Sequence, residues 1–273
     1  MRARRLIIAM PKGGSGKTAT AVALAWGLRE SGKRVLLVDL DPQGNASAAL
    51  GVGWASAYRT LDLLLRPERP FAATTVLDGL DLVPASPWRA GLDLELQKAN
   101  QLTGPIAVRE AVERVEGAYD YILCDCAPGL GPVTYNALAA GPVLAPVEMT
   151  RLAVSVVPEL DRVVATLRRG VSPAANVLGY LATRFVERHA ESREALAALR
   201  AMEGNRVLRA RVPASTVVAR SLAEATSLFS HRYHRSSAPA AYRAVIEEVT
   251  ALLEENHGRP PDVDRCPPVH HVA

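Results

Sequence analysis

The chain has 273 residues, 49% of them hydrophobic and 22% charged, with a formal net charge of +4. That length and balance suit one globular domain with a sizeable core. They exclude a membrane-spanning protein, because no apolar run reaches the roughly 18 residues a bilayer requires. They also exclude a disulfide scaffold: the three cysteines, Cys124, Cys126 and Cys266, form no paired framework and match no common zinc spacing.

In chain order, MRARRLIIAM at the N-terminus has too few apolar residues after its arginines for a signal peptide, so a cytoplasmic protein is expected. RLIIAM predicts a short buried strand, followed by a glycine-rich loop and then a helix, TATAVALAWGLRESGKR, that stops at Gly32. RVLLVDLD reads as a second buried strand, apolar without alternation, as a central parallel strand tolerates. From Val52 to Thr103 the pattern is irregular, broken by Pro67, Pro70, Pro84 and Pro87, with one short strand expected in LDLVPA. Further buried strands are predicted in YDYILCD, GPVLAPVE and NVLGYLAT, with helices over roughly 132–140, 152–169 and 187–203. Strands alternating with helices predict a doubly wound α/β fold, a mainly parallel sheet flanked by helices. A last helix over 239–255 carries Val245, Val249, Leu252 and Leu253 on one side and acids on the other. The expected organisation is one domain over 1–256. The proline-rich remainder, 257–273, is expected to be a disordered tail, and its three histidines, His257, His270 and His271, to be solvated.

The loop MPKGGSGKT joins a buried strand to a helix, the context in which a glycine-rich loop binds phosphate. Its glycines let backbone N–H groups close around a phosphate, and the helix N-terminus adds positive charge. Lys17 is then placed for the β- and γ-phosphates and Thr18 for Mg²⁺. Counted from Gly16, however, the first position of the general pattern G-x-x-x-x-G-K-[ST] holds Lys12 instead of glycine. The chain has only four lysines, against 28 arginines (32 basic residues less four), and two of the four are in this loop.

KGGSGKT resembles the signature of the ParA/MinD superfamily of deviant Walker A ATPases, and LLVDLDPQGNAS and YDYILCDCAPGLGPVTYNAL resemble its next two motifs. The resemblance runs, with gaps, from about Leu6 to Leu253. It implies ATP and Mg²⁺ as ligands and a loop, Gly13, Gly14, Ser15, Gly16, Lys17, Thr18 and Ala19, that holds the nucleotide. It implies catalytic roles for Lys12, Lys17 and Asp41. Lys12 would reach the phosphates of the other subunit in an ATP-bound homodimer, and Asp41 would orient the attacking water. Asp125 would hold Mg²⁺ through water together with Thr18, while Asp39 is expected to be structural. VPASTVVARSLAEATSLF resembles the segment that lies against adenine in small ParA proteins of the Soj and ParF type, which places Pro213 near the base. Ala127 departs from the family, many members having proline there, and AAGPVL replaces a commoner Ala-Asp pair.

Between Arg151 and Arg235 fourteen arginines face seven acids, so that segment carries 14 − 7 = +7. Such an excess steers a polyanion, although a solvated surface shares the pattern. In a ParA-type protein the implied partners are nonspecific DNA and a centromere-binding protein like ParB or ParG that stimulates hydrolysis and release. A nucleoid-associated location follows. Candidate DNA contacts are Arg184, Arg188, Arg193, Arg209, Arg211, Arg220, Arg232 and Arg235. With the loop beginning at residue 11, no helix-turn-helix is expected before it, and specific operator binding is not expected. Two alternatives are a MinD-like membrane ATPase and a metabolic P-loop enzyme. The first needs a basic amphipathic C-terminal helix, whereas the last helix here carries Glu247, Glu248, Glu254 and Glu255. No cluster cysteines or carboxylation site mark the second.

Overall fold

The computed structural model describes residues 2–53, 59–66, 70–86 and 92–257. Strand β1 (Arg4–Ile8) leads through the glycine-rich loop into helix α1 (Lys17–Glu30) and then β2 (Val35–Asp39). Two short helices follow, α2 (Asn45–Ala49) and α3 (Thr60–Leu65), then a hairpin of β3 (Thr74–Leu77) and β4 (Leu80–Val83). Helices α4 (Leu92–Thr103) and α5 (Ala107–Glu113) lead to β5 (Tyr121–Asp125), α6 (Pro132–Leu138) and β6 (Pro142–Glu148). The second half runs α7 (Arg151–Val154), α8 (Val157–Gly170), β7 (Asn176–Phe185), α9 (Ala190–Glu203), β8 (Val207–Pro213), α10 (Thr216–Ala223) and α11 (Ser237–His257).

One sheet joins all eight strands in the order β3-β4-β2-β5-β1-β6-β7-β8, parallel except for β3 against β4. The expected doubly wound α/β fold is therefore observed. The central strands β2 and β5 are buried at every position, which explains why their sequences show no alternation. Helices cover both faces, giving two apolar layers. One contains Ile7, Leu36, Ile122 and Leu160, and the other Leu6, Leu37, Leu123 and Tyr242. Each fully buried Leu or Ile stabilises the fold by about 1.5–3 kcal/mol. Helix α1 is buried over most of its circumference, from Thr20 to Leu28, because the sheet, α2, α10 and α11 surround it.

Several boundaries differ from the sequence expectation. The helix expected over 152–169 is two helices, because Pro158 lacks the N–H that a continuous helix needs and sits instead in the first turn of α8. The helix expected from residue 187 begins at Ala190. The irregular stretch after Val52 holds the expected strand as β4, and in addition α3, α4 and the hairpin partner β3. Strand β8 forms one edge of the sheet, and there the Glu248 carboxylate of α11 accepts hydrogen bonds from the N–H groups of Arg209 and Ala210, each 2.9 Å long. Val245, Val249 and Leu253 of α11 are buried against the sheet, as their spacing predicts. Helix α11 runs on to His257, so the first residue of the expected tail is helical, while the rest of that tail, including Cys266, His270 and His271, lies outside the described residues from 258 onward.

Candidate functional site

Parallel pairing aligns the C-terminal ends of the strands, and the site is assembled there. Ile8 and Asp39 both pair in register with Asp125, and Glu148 pairs with Thr183. The loop 11–16 therefore leaves β1 with the ends of β2 and β5 on one side and those of β6 and β7 on the other. Gly14 (φ +75°) and Gly16 (φ +92°) adopt left-handed backbone that favours glycine, and Gly16 caps α1 without a side-chain bond. Two outside contacts hold the loop. The Gly129 N–H donates to the Pro11 carbonyl at 2.7 Å, and the Thr183 hydroxyl donates to the Ser15 carbonyl at 2.7 Å. Gly13 and Gly14 are exposed, Thr18 and Ala19 half-buried, and Ser15 is buried.

The two lysines of the loop run in different directions. Lys17 is buried, and its Nζ donates to the loop carbonyls of Met10 (3.1 Å) and Lys12 (3.2 Å). Burial pulls its pKa below the ordinary lysine value, and the nearby Asp125, Cys126 and Asp41 oppose that fall. Lys12 instead reaches the end of β6, pairing with Glu148 Oε2 at 3.0 Å and donating to Thr150 Oγ1 at 3.3 Å. The other oxygen of Glu148 pairs with Arg184 at 3.4 Å.

Three aspartates share the other side. Asp39 is buried and fully engaged: Oδ1 accepts the Asp41 N–H at 3.2 Å, and Oδ2 accepts both the N–H (2.8 Å) and the hydroxyl (2.7 Å) of Ser47. Burial pushes its pKa up to about 6 despite the Ser47 bonds. Asp41 is also buried and accepts the Gln43 N–H at 2.9 Å in a tight local turn. Asp125 is wholly buried, and among the described residues neither of its carboxylate oxygens has a hydrogen-bond partner. Burial, reinforced by the charge of Asp39, holds its pKa well above the carboxylate range, and the neighbouring Thr18 and Lys17 offset this only in part. Orphaned carboxylate oxygens beside an ammonium and a phosphate-type loop fit a hydrated cation shared with phosphates. Among the described residues no group of three His, Cys, Asp or Glu side chains is placed to hold a metal ion without such help.

The structure thus brings Lys12, Lys17, Thr18, Asp41 and Asp125 to one end of the sheet. Pro213 closes β8, in register with Phe185. All eight candidate arginines are exposed. Arg193 and Arg211 gather around Glu187, the first donating to its carbonyl at 2.8 Å and the second pairing with its carboxylate at 3.5 Å. Arg232 pairs with Glu224 at 2.9 Å, and Arg184 joins the Lys12 cluster. Sequence reasoning misses Glu148, Thr150 and Thr183. The available signal is Glu148 itself, a carboxylate ending an apolar parallel strand.

Comparison with known proteins agrees with this fold. A family model described as an AAA domain matches residues 3–176. A Thermus thermophilus protein named chromosome-partitioning ATPase Soj is 39% identical over 255 residues, covering 93% of this chain and 98% of that protein. A Caulobacter vibrioides protein named chromosome partitioning protein ParA is 37% identical over 216 residues, covering 77% and 80%. Among solved structures, one titled cobyrinic acid a,c-diamide synthase from Mycobacterium smegmatis with bound ATP analog and magnesium superposes with TM-score 0.77. It is 28% identical, with 95% of this chain and 97% of that one covered. With its lysine-bearing loop, its strand-end aspartates and its nearly full-length likeness to Soj, this chain belongs to the ParA/MinD superfamily, as a partitioning ATPase of the Soj/ParA type.

Proposed function

We propose that this chain is a nucleotide-switched partitioning ATPase, one domain over 1–256, whose ATP-bound homodimer binds DNA without sequence preference. The observation that carries this reading is the divergence of Lys12 and Lys17: Lys17 serves its own loop, while Lys12 points away from it to the half-buried Glu148. A lysine directed out of its own phosphate site is available to a second one. In the dimer the partner subunit's Lys12 adds charge to phosphates already held by Gly13, Gly14, Ser15, Gly16, Lys17, Thr18 and Ala19, and Pro213 borders the base. Asp41 orients the attacking water. Thr18 and, through water, Asp125 would hold Mg²⁺, which would supply charge neutralisation for phosphoryl transfer.

The fourteen-arginine excess supports DNA as the surface that the dimer holds, since phosphate contacts need charge and not sequence. A centromere-binding protein of the ParB or ParG kind would stimulate hydrolysis and release, giving a cytoplasmic, nucleoid-associated protein. A membrane role is disfavoured by α11, whose apolar residues Val245, Val249 and Leu253 are committed to the core. No helix among the described residues is long and apolar enough to cross a membrane.

The test is duplex binding by the full chain in ATP and Mg²⁺, followed by fluorescence anisotropy over a salt series and by sedimentation. Wild type is expected to form dimers that bind unrelated duplexes, with affinity falling steeply from low to moderate salt. Lys12→Ala is expected to bind ATP as a monomer and to lose DNA binding. Normal Lys12→Ala dimers, or salt-insensitive binding, would sink the proposal.

A further inference from the structure

Arg184 has a positive φ of +51°, a left-handed backbone that is unfavourable for a residue with a side chain. It lies in β7 where the pairing with β8 shifts register between Ala182 and Phe185, so the strand bulges there. A left-handed backbone position usually holds glycine, and a bulge next to a functional site re-aims a side chain. Here the re-aimed side chain is a guanidinium directed at Glu148 Oε1, 3.4 Å away, while Lys12 holds Oε2 at 3.0 Å. The preceding residue, Thr183, donates to the Ser15 carbonyl of the phosphate loop, and its carbonyl accepts the Met149 N–H at 3.1 Å. The bulge is therefore tied to the nucleotide loop on one side and to the residue after Glu148 on the other.

We propose that Arg184 is a positioning residue for Lys12: it is the standing counter-ion of Glu148 that lets Lys12 leave for a second subunit. This rests on the reading that Lys12 acts between subunits. The Glu148 side chain is only 22% exposed. Losing Lys12 without another cation nearby would leave a largely buried carboxylate unpaired, and that penalty would hold Lys12 at home. With Arg184 already on the other oxygen, the carboxylate keeps a charged partner after Lys12 departs. Arg184 also competes for the charge of Glu148 beforehand, which loosens the Lys12 pair. Glycine would fit the backbone better and supply none of this.

The experiment measures the ATP-dependent dimerisation constant of full-length wild type, Arg184→Gly, Arg184→Lys, Glu148→Gln and the double variant Arg184→Gly/Glu148→Gln by sedimentation velocity. Lys12→Ala serves as the reference for the underlying reading. Arg184→Gly suits the left-handed backbone, so its thermal unfolding is expected at or above the wild-type temperature. Its dimerisation is expected to weaken about two- to fivefold, the size of one exposed ion pair. Arg184→Lys should recover most of the loss. In the Glu148→Gln background, where no carboxylate needs a counter-ion, Arg184→Gly should have no further effect. Unchanged dimerisation in Arg184→Gly, or a double variant that dimerises more weakly than Glu148→Gln alone, overturns the proposal. So does DNA binding lost while dimerisation stays normal, which would make Arg184 a DNA contact. Normal dimers in Lys12→Ala would instead remove the reading beneath it, an outcome distinguishable because it does not depend on residue 184.

Discussion

Asp125 is the least satisfied polar side chain of the site: buried, with neither oxygen hydrogen-bonded among the described residues, and held above the ordinary carboxylate range by its burial. In the nucleotide-free chain that burial destabilises the fold, and the cation that the site is proposed to hold offsets it. Asp125→Asn is therefore expected to stabilise the nucleotide-free protein, on the order of 1–3 kcal/mol, while removing most of the further stabilisation that ATP with Mg²⁺ gives wild type. Thermal denaturation with and without ligand checks both parts, and a variant that melts below wild type without nucleotide contradicts the account. Lys12, Lys17, Thr18 and Asp125 are legible in the sequence because each sits at a fixed distance from glycines or closes an apolar strand. Glu148, Thr150 and Thr183 are not. They enter from chain 136 residues or more away from their loop partners, and only the placement of β1 between β5 and β6 brings them to the loop.

Among the elements, the buried parallel strands are the most legible, since runs such as VLLVD and YILCD are short, carry β-branched or aromatic residues and are apolar without alternation, as a sheet covered on both faces allows. Strand β8 escapes the sequence reading, although Leu208, Ala210 and Val212 alternate with Arg209 and Arg211. Those arginines stand out as charge, while their period of two marks an edge strand with one wet face. The junction of β7 with β8 is also tightly packed. A Cβ at Gly179 would overlap the Leu208 Cδ1 methyl and stand 3.1 Å from the Arg206 carbonyl oxygen. Gly179→Ala is expected to cost about 1–3 kcal/mol through overpacking. Gly170→Ala, at the end of α8 with nothing within 4 Å of the added carbon, is expected to be neutral or stabilising. Urea unfolding of the two variants side by side checks the contrast, and equal midpoints would refute it.

For the molecule as a whole, a polar cluster fastens α8, β7 and α9 together away from the site. Arg206 forms two 3.0 Å bonds with Asp161 and pairs with Glu203, and the Tyr180 hydroxyl donates to Asp161 at 2.6 Å. Burial first, and then the Asp161 charge, push Glu203 up to about 7, with Arg206 opposing. A carboxyl raised above its unfolded value binds its proton more tightly in the folded state. Its stabilising contribution is complete below about pH 4.5 and is lost as pH rises through about 7. Wild-type stability should therefore fall between about pH 5 and 7.5 by on the order of 1–3 kcal/mol from this group, and Glu203→Gln should flatten that slope. Urea midpoints across the range decide it, and an unchanged slope in the variant removes Glu203 as the cause. The edge at β8 bears on behaviour at high concentration. Open strand edges recruit one another by mass action, more often at high concentration than in dilution. The Glu248 carboxylate occupies the Arg209 and Ala210 N–H groups that such recruitment would use. The last helix thus acts as a stopper at this edge, and crowding of these chains is steered away from indefinite sheet growth.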